Sequence, residues 1–148
     1  QGFQEAYDKA LLRQGADHRQ SSVMLFVLPG LEQSGADHGF VLTERAVVRF
    51  AATLQSVLGD AWSIGRLSKT RFACIAPGAS QPADVLALAT HVLTRCTRMA
   101  EPLGPVTDFD LRIACTQRRL GAGDLKSLLS DLDEAARAIV PPKRIVML

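Results

Sequence analysis

Val23-Met24-Leu25-Phe26-Val27-Leu28 is an unbroken apolar run, and Pro29-Gly30 ends it at once. The run is far too short to span a bilayer. Apolar residues at every position, without alternation, predict a strand buried on both faces. Such a strand demands a covering layer on each side, so most of the remaining chain must supply helices or further strands to pack on it.

Three helical stripes meet that demand. Phe3, Tyr7, Ala10 and Leu11 share one face over residues 2–14. Val47, Phe50, Ala51, Leu54 and Val57 or Leu58 recur at helical spacing from about 42 to 58, with Gly59 as a C-cap. Val85, Leu88, Ala89, Val92, Cys96 and Met99 form a third stripe that Pro82 opens. A fourth helix begins at Asp124, an N-cap candidate, and turns Leu125, Leu128, Leu129, Leu132, Ala135 and Ile139 inward until Pro141-Pro142 stops it. The segment 14–22 reads as a polar loop.

The strands come from shorter patterns. Arg66-Leu67-Ser68-Lys69-Thr70-Arg71-Phe72 lies between the apolar runs 62–67 and 72–76, which predicts a tight hairpin with a polar tip. Phe109, Leu111, Ile113 and Cys115 alternate with Asp108, Asp110, Arg112 and Ala114, the pattern of a strand with one wet face. Ile145-Val146-Met147-Leu148 reads as a closing strand. This mixed order, with a hairpin at its centre, points to an α+β fold of one sheet with packed helices.

Composition narrows the function. The 148 residues suit one domain and need no disulfide or metal staple, since a chain of this size buries roughly 70% of its extended surface. A net charge of +2, from 17 basic and 15 acidic residues, is too mild for a nucleic-acid binder. Cys74, Cys96 and Cys115 sit in apolar or helical contexts and read as buried reduced thiols of a cytoplasmic protein. His91 and Cys96, on one helix, lack further ligands at metal spacing, and His18 and His38 stand alone in polar loops. No metal or cofactor is expected. The chain opens on Gln1 and reads as a fragment of a larger multidomain protein.

Residues 65–78, Gly-Arg-Leu-Ser-Lys-Thr-Arg-Phe-Ala-Cys-Ile-Ala-Pro-Gly, resemble the signature hairpin of the GGDEF domains, the diguanylate cyclase family. Ser68, Lys69, Thr70 and Arg71 stand where that family carries Gly, Gly, Asp or Glu, and Glu, and Phe72 is kept. The resemblance implies a ferredoxin-like βαββαβ core with a mainly antiparallel sheet over residues 1–148. It also implies that two carboxylates which hold Mg²⁺ in the family are replaced by Val27 and Arg71. At the family's guanine-reading positions stand Gly35 and Glu44. At its phosphate-binding Lys stands Val140, with a neighbouring Arg kept as Arg144. The family's product-binding Arg-x-x-Asp reads Gly59-Asp60-Ala61-Trp62.

Taken with these replacements, the resemblance implies a catalytically inactive regulatory module of bacterial cyclic di-GMP signalling. It would dock another signalling protein, a neighbouring EAL or sensor domain, or a second copy of itself. Neither nucleic acid nor direct membrane contact is expected. The hairpin residues Arg66, Ser68, Lys69, Thr70 and Arg71 are the candidate contact surface, and Glu44 and Arg144 are remnants of the nucleotide site; Trp62, at an element edge, reads first as a partly buried packing residue and second as a candidate anchor. The plain alternative for the cationic tip is a solvated turn. The sharper one is a sensor that grips GTP or cyclic di-GMP through Lys69, Arg71 and Arg144.

Overall fold

The computed structural model describes residues 2–17, 20–30, 40–77, 81–100, 110–121 and 123–148. Its elements run α1 (Gly2–Asp17), β1 (Ser21–Val27), α2 (Phe40–Leu58), β2 (Ser63–Ser68), β3 (Arg71–Pro77), α3 (Pro82–Ala100), β4 (Arg112–Arg118), α4 (Leu125–Arg137) and β5 (Ile145–Met147). The five strands form one sheet in the order β2-β3-β1-β4-β5. All neighbours are antiparallel except β4 and β5, which pair in parallel. The βαββαβ core is therefore present, followed by α4 and β5.

Strand β1 is buried at all seven positions, as its unbroken apolar run requires. Met24, Phe26 and Leu28 face one core with Val47, Phe50 and Leu54 of α2 and Val85, Ala89 and Val92 of α3. Val23, Leu25 and Val27 face the other core, with Phe3, Tyr7 and Ala10 of α1 and Leu128, Leu132 and Ala136 of α4. The sheet is the middle layer of three. Phe50 anchors the first core: its ring meets Phe26 at 5.9 Å and Phe72 at 5.3 Å, both edge-on. On the opposite side α1 seats tightly, since a Cβ on Gly65 of β2 would come within 2.6 Å of the Phe3 Cβ.

Several expectations change. The polar segment 14–22 is not all loop, because α1 runs on to Asp17 and β1 begins at Ser21. Ser21 and Ser22 are buried in the strand, where Gln117 Nε2 donates to Ser22 Oγ at 3.1 Å. The strand expected over 109–115 runs instead from Arg112 to Arg118, and it has no wet face at its centre. Ala114 and Thr116 are buried, with Ala114 packed in the core that α4 helps to close. Asp124 occupies the N-cap position of α4, yet its side chain makes no capping hydrogen bond. Gly59 does end α2, with φ at 71° and its N–H donating to Gln55 O at 3.0 Å. Gly35, His18, His38, Asp108 and Phe109 lie outside the described residues.

The three cysteines are free and buried. Met24 pairs with Cys74 on one side and Cys115 on the other, so two strand spacings, about 10 Å, separate their Cα atoms. That is beyond disulfide reach. Burial pushes the Cys96 and Cys115 thiols up to about 12. Burial raises Cys74 as well, with Cys115 adding to the shift. No described helix is long and apolar enough to cross a membrane.

Truncating the Phe50 ring should remove two edge-on aromatic contacts and leave a cavity. Phe50→Ala is expected to lower stability by about 3–5 kcal/mol in urea unfolding. A change below about 1 kcal/mol would contradict this packing.

Candidate functional site at the hairpin end of the sheet

The end of β1 gathers the residues that the hairpin pattern singled out. Val27 is opposite Arg71 on β3 and opposite Arg112 on β4. Residues directly opposite in a sheet share a face, so two guanidiniums flank one buried isopropyl group beneath α4. Val27 itself is 3% exposed.

Arg71 finds its carboxylate on another element, and Arg112 finds one two residues before it. Arg71 Nη1 lies 3.5 Å from Asp133 Oδ1 on α4, and Arg71 Nε is 3.5 Å from Ser68 Oγ. The other oxygen of Asp133 accepts from Arg137 Nε at 2.8 Å, one helical turn on. Arg112 Nη2 pairs with Asp110 Oδ2 at 3.0 Å, and its Nη1 donates to the carbonyls of Arg137 at 3.0 Å and Ile139 at 3.2 Å. Those carbonyls close the end of α4, where helices leave acceptors unfilled. Asp110 also pairs with Arg144, just ahead of β5. It does so from a left-handed backbone with φ at 52°.

The hairpin tip is organised in the same way. Arg66 donates from Nε to Ser68 O at 3.1 Å and reaches Glu44 Oε1 on α2 at 3.4 Å. Its guanidinium sits 5.9 Å from the centre of the Phe72 ring. Thr70 N donates to Ser68 Oγ at 3.3 Å, so the serine hydroxyl braces the turn. Lys69 is exposed at the tip.

Of the residues marked in the sequence, Arg66, Ser68, Lys69, Thr70 and Arg71 share the turn, and Glu44 joins them through Arg66. Arg144 does not converge on the hairpin. Strands β1 and β4 separate β3 from β5, a span of about 14 Å by strand spacing. Trp62 takes the packing role of its two readings: it is 7% exposed and lies in the core of the α2 and α3 face.

Asp110, Arg112, Asp133 and Arg137 carry the charge network and went unmarked. Only Asp133 and Arg137, four apart on one helix, left a trace in the sequence. The positions that the resemblance assigns to metal-binding carboxylates hold Val27 and Arg71. An isopropyl group and a guanidinium offer no oxygen to a hard divalent ion, so these side chains do not fit Mg²⁺.

No family model matches the chain, and no curated protein matches it. Solved structures do. The GGDEF domain of PA1120 (TpbB or YfiN) from Pseudomonas aeruginosa superposes with a TM-score of 0.78 at 18% identity, covering 98% of this chain and 86% of that one. The fold is that of the GGDEF domains. The GGDEF domain of DgcB from Caulobacter crescentus, solved in complex with c-di-GMP, gives 0.80 at 14% identity, covering 98% and 87%. The diguanylate cyclase SiaD of Pseudomonas aeruginosa, solved in complex with its activator SiaC, gives 0.78 at 17% identity, covering 97% of this chain and 56% of that one. Identities this low carry the GGDEF fold and leave the chemistry to the side chains.

The Asp133 carboxylate serves two guanidiniums, so its loss strands both. Asp133→Ala is expected to cost about 1 kcal/mol in chemical denaturation. A double-mutant cycle with Arg71→Ala should show coupling of about 0.5 kcal/mol. Strict additivity would remove this ion pair from the account.

Proposed function

We propose that this chain is a non-catalytic GGDEF-fold module of cyclic di-GMP signalling that works by docking another signalling protein or a neighbouring domain such as an EAL or sensor module. One observation carries the reading. The end of β1 presents Val27 between Arg71 and Arg112, where a GGDEF cyclase would need carboxylates to assemble metal around a triphosphate. The Arg71 guanidinium is held by Asp133 and Arg112 by Asp110, so the site is closed by internal ion pairs. Ser68 and Lys69 also place side chains where glycines would let a backbone approach phosphate.

Loss of substrate chemistry frees the hairpin end for contact with protein. SiaD, solved with its activator SiaC, is a precedent for a protein partner on a GGDEF-containing chain. The nucleotide-sensor reading has less support, because Arg71 and Arg144 already have carboxylate partners and stand apart across the sheet.

Incubation with GTP and Mg²⁺ should release no pyrophosphate above the rate of a buffer control. Formation of cyclic di-GMP would refute the proposal. Calorimetric titration with GTP and with cyclic di-GMP should be silent. Micromolar binding that Lys69→Ala with Arg71→Ala abolishes would establish the sensor reading instead.

A further inference from the structure

Strand β5 is a sheet edge next to an apolar groove. Among the described residues it pairs on one side only, in parallel with β4. Arg144 O accepts from Ile113 N at 2.8 Å, and Leu148 N donates to Cys115 O at 2.8 Å. Alternate residues of a parallel strand face its partner, so 144, 146 and 148 are turned to β4. The N–H and C=O groups of Ile145 and Met147 therefore point off the sheet. No described strand lies beyond them. An edge of this kind is a template for another strand.

Beside the edge runs a groove of about 610 Å³ between the end of α4 and β5. Ala135 of α4, Ala138 just past its end, Val140, Pro141 and Val146 line it. The two alanines leave open the space that longer side chains would fill. Val140 is 73% exposed in the groove lining, and Leu148, just past β5, is 49% exposed. The polar side chain in the lining is Lys143, a cation.

These features select one kind of occupant. A row of outward backbone groups, with an apolar trough and few side-chain donors, suits a polypeptide better than a small polar ligand. A second copy pairing through this same strand fits poorly, because Lys143-Arg144-Ile145-Val146-Met147-Leu148 contains no acid to set against Lys143. We propose that the outer edge of β5 receives an extended segment of a partner protein as an added strand, with apolar side chains entering the groove and acidic ones meeting Lys143. This docking shares with the proposed function only the idea of a protein partner. It concerns the edge of the sheet opposite the hairpin strand β2.

The probe is a short fluorescein-labelled peptide that alternates Val and Glu, compared with a Val and Lys version and with a version that keeps the composition but groups the residues in blocks. Fluorescence anisotropy should show the alternating acidic peptide binding at least about tenfold more tightly than either control. Val140→Glu and, separately, Lys143→Glu should each weaken it by about tenfold, whereas Lys69→Ala should leave it unchanged. Amide exchange at Ile145 and Met147 should slow on binding. Equal binding of all three peptides would overturn the proposal, as would binding that leaves those two amides unprotected. Sedimentation showing a dimer that protects the same amides without peptide would assign the edge to a second copy and overturn it too. Because Val140 is mostly exposed, its substitution leaves the core intact, and a GTP turnover assay on the same samples tests the functional reading separately.

Discussion

Strand β1 has covered faces along its whole length, and the arrangement of the other layers is a consequence of that burial. Its even-numbered side chains complete a core with α2 and α3, and its odd-numbered ones complete a second core with α1 and α4. Antiparallel neighbours on both sides satisfy its backbone. No residue of such a strand can carry charge without a partner brought to it, because unpaired charge in a buried setting costs several kcal/mol. Val27 meets the constraint by being apolar. A carboxylate there would need a cation fixed beside it. Instead the cations stand on either side, on β3 and β4, and their counter-charges come from Asp133 and Asp110.

The hairpin end is thus a charge system that is satisfied internally. Its pairs are partly exposed, and each contributes a modest fraction of the stability. Their value is positional. Arg71 ties the hairpin to α4, Arg112 fills open carbonyls at the end of that helix, and Asp110 joins β4 to the start of β5 through Arg144. At this end of the sheet the Asp133 and Asp110 carboxylates are engaged by the Arg71 and Arg112 guanidiniums.

The fold is legible in the sequence where the pattern is local. The run from Val23 to Leu28, the polar tip between two apolar stretches and the stripe from Val47 to Leu58 each specify an element without help from distant residues. The fourth strand is less legible: alternation before Ile113 suggests solvent on one side, while α4 covers Ala114 from a later stretch of chain. Trp62 sits next to a strand end and still packs inward. The candidate site is half legible. The hairpin residues announce themselves, but Arg71 and Asp133 are 62 positions apart and meet only when α4 docks. The left-handed backbone of Asp110, which lets one carboxylate serve Arg112 and Arg144, leaves no mark in the residue pattern.

The central claim is that guanidiniums and an isopropyl group occupy the place of a two-metal centre. Paramagnetic Mn²⁺ reports on that place directly when titrated in the presence of a non-hydrolysable GTP analogue. The account predicts that the amide signals of Val27, Arg71 and Arg112 broaden no more than those of exposed residues elsewhere. Saturable broadening centred on these three amides would contradict it.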